Sequence, residues 1–267
     1  MIGREQAKAL LQRLSLGVVW ITKATPQSQV KELIATLRPY ETSTKLIRLG
    51  PAGDGGYLVP DDLEGIAACI SPGVSTESGF DFAVAERGID VYMADASVDG
   101  PAMRHPKFHF EKKFFTTKSG ETTTTIAEFC ERIPGITPGA DLMLQMDIEY
   151  AEYPVVLTMT PDLLKRFRII VIELHGVENL FQTFGFGVMH GFFEKLLEHH
   201  HVVHLHPNNC CGNAVAGNIA VPRVLEMTLQ RKDRARFTRD LNRVYPHPLD
   251  ADNVPAKPSL VLAPLFR

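Results

Sequence analysis

Groups able to move protons or hold cations gather in two short segments of the chain. In LMLQMDIEYAEYPVV, Asp147, Glu149 and Glu152 come directly after an apolar run, and in IIVIELHGVENL another apolar run ends on Glu173 and His175. Carboxylates at the start of a helix complement its dipole, so capping accounts for one of the first three. Three acids within six residues exceed what a cap requires and fit either a metal site or a general base. An imidazole at a strand end beside carboxylates is equally two-sided: it is a base that takes the proton of a hydroxyl, or a ligand for a divalent ion. Alternation along a strand puts Glu173 on the same face as His175, so Glu173 is expected to orient that base.

A third segment, ISPGVSTESGFDFAVAERG, has Gly73 where a strand turns into a helix, which would let a ligand approach the backbone closely. It lacks the full glycine triplet of dinucleotide binders, since Ser75 stands at the second glycine position. About twenty residues on, Asp95 ends the run VYMADAS, and a carboxylate at that distance can accept from both hydroxyls of a ribose. Helix capping is the competing role for Asp95. The histidine-rich stretch HHHVVHLHPNNCCGN invites zinc, but strand alternation lets only His204 and His206 share a side, and adjacent Cys210 and Cys211 chelate one ion poorly. His206, Asn208 and Asn209 are therefore read as polar groups of a pocket.

These residues need a frame that brings them together. From about residue 66 onward strand-like runs alternate with helix-like ones, the sign of βαβ units and a mainly parallel, doubly wound α/β sheet. Strands are expected over 67–71, 90–94, 108–113, 141–146, 168–174, 202–206 and 260–264. Helices are expected over 77–87, 125–132, 151–158 and 189–200. Ligands of such sheets bind beyond the carboxyl ends of the strands, where the acids and His175 lie. Ahead of the sheet, residues 1–40 read as helical, with Leu10, Leu11 and Leu14, then Val30, Leu33, Ile34 and Leu37, at three-and-four spacing. The segment RLGPAGDGGYLVP reads as a loop leading to a short extended piece. Arg48, Asp54 and Tyr57 in it, with a loop over 176–187 carrying Phe181, Phe184 and Phe186, would cover the site or pack against the N-terminal helices.

Composition sets the outer limits. The 267 residues are 45% hydrophobic and 22% charged with net charge -3, an ordinary globular balance without the cationic excess that nucleic acid requires. The apolar run over 16–21 is too short to span a bilayer, so the protein is expected in the cytoplasm with no membrane span. The four cysteines have no CxxC spacing and are read as structural thiols.

Six segments in order, GDGGYLVPDDL, ISPGVSTESGFD, DIEYAEYPVV, VIELHG, HLHPNNC and YPHPLDADN, give the chain a resemblance to the FkbM-type family of S-adenosylmethionine-dependent methyltransferases, across most of its length. The resemblance implies a Rossmann-like, seven-stranded sheet with an antiparallel last strand over 46–267, preceded by a helical extension over 1–45. It implies S-adenosylmethionine as cofactor. Gly73 and its neighbours Ser71, Val74, Ser75 and Glu77 would lie under the methionine part, Asp95 with Ala96 would hold the ribose, and Asp147 would sit near the transferred methyl. The acceptor implied is a hydroxyl of a glycan or hydroxylated small molecule, with Asp54, Tyr57, Tyr150, His206, Asn208 and Asn209 around it. The carboxylate cluster also resembles that of sugar O-methyltransferases in which magnesium or manganese binds the acceptor; Asp147, Glu173 and Glu149 would be the ligands here. Two positions depart from the family pattern: Ser75 stands where glycine is common, and the usual DIEGAEW is DIEYAEY, with Tyr150 and Tyr153.

Two other classes stay open on the sequence. A nicotinamide-dependent oxidoreductase would use the same frame and Asp95 but would be expected to show the glycine triplet. A non-catalytic binding protein could keep the fold. The N-terminal helices would either cap the sheet or pair two copies of the chain.

Overall fold

The computed structural model describes residues 3–14, 22–239 and 245–266. The apolar run over 16–21 lies outside them. Two helices open the chain, α1 (Arg4–Leu14) and α2 (Gln27–Thr36). A hairpin follows, β1 (Leu46–Leu49) against β2 (Tyr57–Pro60): the expected loop and short extended piece are there, and the residues ahead of the loop form the second strand. The main sheet then takes β3 (Ala68–Pro72), β4 (Asp90–Ala94), β5 (Phe108–Glu111), β6 (Leu142–Met146), β7 (Phe167–His175) and β8 (His200–Pro207). A second hairpin, β9 (Asn213–Ala216) and β10 (Ile219–Pro222), leads into β11 (Val224–Arg231). Helices α3 (Gly79–Ala85), α4 (Ile126–Glu131), α5 (Glu152–Thr158), α6 (Pro161–Arg166) and α7 (Thr183–His199) connect the strands.

The sheet has seven strands in the order β8-β11-β7-β6-β3-β4-β5. All neighbours from β7 to β5 are parallel, whereas β11 runs antiparallel to both β7 and β8, between which it is inserted. The antiparallel last strand is thus present, but at Val224–Arg231; residues 260–263 form no strand and Pro264–Phe266 is a turn of 3-10 helix. Proline at 258 and 264 brackets that apolar run and removes backbone donors, so it packs as irregular chain, with the Leu265 carbonyl accepting from Arg38 Nε at 3.1 Å. The true strand is easily missed. Leu225, Met227 and Leu229 alternate with Glu226, Thr228 and Gln230, which mimics a half-exposed surface strand, yet all of them are buried.

Each face of the sheet has its own core. Ile170, Ile172 and Leu174 of β7 meet α2, α4, α5, α6 and α7 on one side, and Val30, Leu33, Ile34 and Leu37 belong to that core. Ile169 and Val171 meet α3 and the β1–β2 hairpin on the other. All nine residues of β7 are buried, as expected of a central parallel strand rich in β-branched side chains. Glu173 and His175 continue the series Ile169, Val171, so they share the hairpin side of the sheet. The loop expected over 176–187 is instead a 3-10 turn, Val177–Phe181, running into α7.

At the amino ends of β6 and β7, where the antiparallel β11 finishes, Arg168 is almost wholly buried. It donates from Nη2 to Asp141 Oδ2 at 2.7 Å and from Nη1 to the Glu64 carbonyl at 2.6 Å, while Arg231 Nη1 takes Asp141 Oδ1 at 2.6 Å. Burial opposes ionisation of Asp141, but Arg231 and Arg168 overcome it and hold the carboxyl below its ordinary 3.8. The contribution is therefore complete above pH 3.8 and is lost as pH falls through the lowered value. Arg168→Ala leaves Asp141 with one partner and is expected to cost about 3 kcal/mol in urea unfolding. An unchanged midpoint would show the network to be idle.

Candidate active site

The carboxyl ends of β3, β4 and β6 meet at a single close contact. Gly73 follows β3 with φ +85°, and a Cβ there would lie 1.6 Å from the Asp147 carbonyl oxygen, so only glycine fits. Asp147 in turn donates its N–H to the Pro72 carbonyl at 3.2 Å, and the Gly73 N–H donates to Ala94 at 3.1 Å. The turn is then closed by Asp95. Its Oδ2 accepts from the N–H groups of Val74 and Ser75 at 3.0 and 2.9 Å, and its Oδ1 accepts from the Ser97 N–H and hydroxyl at 2.7 and 2.6 Å. Burial raises the Asp95 pKa, but these bonds outweigh it and hold the carboxyl below the usual range. Both lone pairs of each oxygen are engaged.

Around this contact lies a cavity of about 880 Å³. One end is walled by Asp95, Phe114, Phe115 and Thr116, and the middle by Gly73, Val74, Ser75, Glu77, Asp81 and Gln145. The other end holds Asp54, Tyr57, Asp147, Glu149, Tyr150, Glu173, His175 and Asn208. Most residues expected at the site therefore share one wall. Ser71 and Ala96 are off it, and Ser71 is buried, donating to Gln145 Oε1 at 2.9 Å.

At the acid end, His175 is ringed by carboxylates. Nδ1 is 3.1 Å from Glu152 Oε1, and Nε2 lies 3.5 Å from Glu149 Oε2 and 3.9 Å from both Asp147 Oδ1 and Glu173 Oε1. The group that orients the imidazole is thus Glu152 and not Glu173, which is too distant for a hydrogen bond. Glu152 is fully buried and also accepts from the Ile148 N–H at 3.0 Å, which fixes its position. Glu173 has other partners, the Asn208 amide at 3.0 Å and the Tyr57 hydroxyl at 3.4 Å.

Burial pushes Asp147 up to about 7, against the attraction of His175 and with the help of Glu149, Glu152 and Asp54. Burial likewise drives Glu173 well above the carboxylate range, with Asp147 and Glu226 adding to it. His175 moves the other way from what burial alone would do: burial disfavours the cation, but the Glu152 bond and the charges of Asp147 and Glu149 raise its pKa above 6.5. Among the described residues, Asp147, Glu149 and His175 form a group whose ligand atoms lie within 4.8 Å of one another. Glu173, expected as a metal ligand, is not in that group, because Tyr57 and Asn208 hold it back.

Behind the wall, on the hairpin side, a polar row crosses three strands. Glu173 of β7 faces Glu226 of β11, and Glu226 faces His206 of β8. Asn253 donates to Glu226 Oε1 at 2.6 Å and to Asp54 Oδ1 at 3.1 Å. His204 and His206 both turn to Asp250, at 2.8 and 3.5 Å. His206 is therefore behind the cavity and not on it, and Asn209 is a strut: its amide donates to the Val254 carbonyl at 3.0 Å and its Oδ1 accepts from the Val254 N–H at 2.8 Å. Arg48 is also structural, donating to the carbonyls of Pro51, Gly53 and Leu249. Phe181 and Phe186 pack on the helix-side core and Phe184 is exposed, so none covers the cavity.

Glu226, Gln145, Asp250 and Asn253 were not singled out by type or spacing. A polar residue recurring in an otherwise core-forming strand was the available sign for Glu226, and Asp250 and Asn253 lie in the YPHPLDADN segment.

Comparison with known proteins bears out the resemblance: residues 80–202 match the model of the methyltransferase FkbM domain. This stretch runs from α3 through Asp95, Asp147 and His175. No curated protein matches the chain. Among solved structures, an antibiotic-biosynthesis-pathway protein assigned as a methyltransferase from Anabaena variabilis aligns with 14% identity and TM-score 0.28, over 53% of this chain. The chain spans 60% of that protein's length. A variant of the 16S rRNA (adenine(1408)-N(1))-methyltransferase from Catenulisporales acidiphilia aligns with 15% identity and TM-score 0.31, over 73% of this chain and 100% of that one. No helix among the described residues is long and apolar enough to cross a membrane.

Both departures from the family pattern fall on left-handed backbone, Ser75 at φ 44° and Tyr150 at φ 75°. Glycine adopts that conformation without cost, whereas a tyrosine carries strain of order 1 kcal/mol. The Tyr150 ring is 58% exposed and lies 5.6 Å from the His175 ring, so it repays little by burial. Tyr150→Gly is expected to raise the unfolding free energy by about 1 kcal/mol in chemical denaturation. A fall of that size would mean that the ring's contacts outweigh the strain.

Proposed function

We propose that this protein is an S-adenosylmethionine-dependent O-methyltransferase acting on a hydroxyl of a neutral, polyhydroxylated acceptor, a sugar or glycan. The observation that carries this reading is His175, held by Glu152 on one nitrogen and placed on the cavity wall among acids on the other. The cradle suits the cofactor: a glycine that tolerates no Cβ, an acid one strand away, and a cavity large enough for a nucleoside with an amino-acid arm. When bound, the cofactor supplies a methyl group activated by positively charged sulfur. With Nδ1 donating to Glu152, His175 Nε2 accepts the proton of the acceptor hydroxyl. Asp147 and Glu173, whose ionisation burial opposes, exchange hydrogen bonds with neighbouring hydroxyls, and so many acids around one pocket disfavour phosphorylated or otherwise anionic acceptors. Asp95 can take a ribose hydroxyl on Oδ1 by exchanging the Ser97 donors for it.

A second reading of the same cluster rests on Asp147, Glu149 and His175, whose spacing would suit a divalent ion that acidifies the acceptor hydroxyl. One nitrogen and two carboxylates fit manganese or zinc better than magnesium.

Methyl transfer from labelled cofactor to a panel of neutral sugars and glycosides tests the main reading. The rate is expected to rise with pH through a midpoint above 6.5, the ordinary histidine value, because the base must lose its proton and its pKa is raised. Glu152→Gln removes the charge that favours the imidazolium and is expected to move that midpoint down and to cut kcat about a hundredfold. A profile unmoved by the substitution would remove His175 from the role of base. Chelation separates the two readings: transfer that survives EDTA supports the histidine base alone, whereas loss restored by manganese supports the ion.

A further inference from the structure

Asp81 is a buried acid on the cavity wall for which the acceptor chemistry has no use. It occupies the third position of α3 and is 4% exposed. Ser78 and Asp81 have the spacing of a capping box, in which the acid would accept from the N–H of the residue preceding the helix. The box is not made. Ser78 forms no side-chain cap and its hydroxyl accepts from the Met103 N–H at 2.9 Å, while Asp81 Oδ1 has no hydrogen-bond partner. Among the described residues no lysine, arginine or histidine pairs with Asp81. Burial pushes its pKa to about 7, only partly offset by the nearby Ser71 hydroxyl and the backbone, with Glu77 adding to the rise. The other titratable group at hand is the Cys69 thiol on β3, which burial keeps protonated.

An unengaged oxygen on a buried carboxyl costs free energy unless a ligand supplies the missing donor. The neighbouring wall residue, Gln145, has its Oε1 already occupied by Ser71. Asp81 lines the same cavity from the helix that follows β3, the strand lying between β4, which leads to Asp95, and β6, which leads to Asp147. Of the positive centres on the cofactor, the sulfonium must face the acceptor; the other is the ammonium of the amino-acid arm.

We infer that Asp81 is the receptor for the α-ammonium group of the cofactor's amino-acid arm, an inference that rests on the methyl-transfer reading. Binding then converts an acid that burial favours in its protonated form into a paired carboxylate. Near pH 6 the complex should therefore release a proton that the free protein holds on Asp81.

The test is calorimetric titration of the full chain with S-adenosylhomocysteine and with its analogue lacking the α-amino group, in buffers of different ionisation heat. The wild type is expected to prefer the amino compound by about tenfold or more and to release a proton on binding it. Asp81→Asn, with an unchanged thermal midpoint, should bind the two compounds alike and release no proton from this position. An Asp81→Asn protein that keeps the preference overturns the inference and leaves the methyl-transfer reading standing. Should that variant fail to fold, Asp81→Ser takes its place, and a wild type indifferent to the amino group overturns the inference without any variant. No binding of S-adenosylhomocysteine to the wild type would overturn both.

Discussion

The site depends on one backbone contact, the carbonyl of Asp147 resting where a side chain on Gly73 would begin. It joins the ends of two strands that are distant in sequence and adjacent in the sheet, and it leaves no room for error of an ångström. From it follow the direction of the Val74 and Ser75 N–H groups, which Asp95 gathers, and the exit path of the segment that carries Glu149 and Glu152. The acid end and the Asp95 end of the cavity therefore stay in fixed relation without a side chain that spans them.

The elements legible in the sequence are those whose burial is one-dimensional. Asp90–Ala94 and Leu142–Met146 are mostly apolar runs, and each falls within one residue of its expected bounds. Gly73, Asp95, Asp147, Glu173 and His175 were marked by lying just past such runs, and the fold brings them onto one wall. What was not legible depends on partners chosen in three dimensions. Val224–Arg231 alternates polar and apolar residues because one of its faces lines the polar row; the sequence period cannot tell a buried polar face from a wet one. The partner of His175 was misassigned for a related reason. Alternation correctly puts Glu173 beside it on the strand, but Glu152, from a helix start, reaches the nitrogen first.

The acid end is costly to build. Two glutamates directly opposite on antiparallel strands, Glu173 and Glu226, repel if both ionise. Burial shifts both upward, Glu226 to about 7, and neutral donors from Asn208, Tyr57 and Asn253 satisfy the oxygens. The protein thus keeps a stock of shared protons under the cavity. Such a cluster is worse for stability than an apolar core of the same volume, and residues kept at that expense are candidates for chemistry.

The sheet itself is two sheets meeting along one edge. Strands β3, β4 and β5 come from residues 68–111 and strands β6, β7, β8 and β11 from residues 142–231, and among the described residues the ladder joining the groups is Ala68–Leu142, Cys69–Met143 and Ile70–Leu144. The ladders within each group close shorter stretches of chain than this one does. Loop entropy grows slowly with length, so it sets this ladder only slightly behind the others in assembly. The cavity opens on that seam, so a molecule lying across it would act as a clasp, slowing amide exchange on both sides at once.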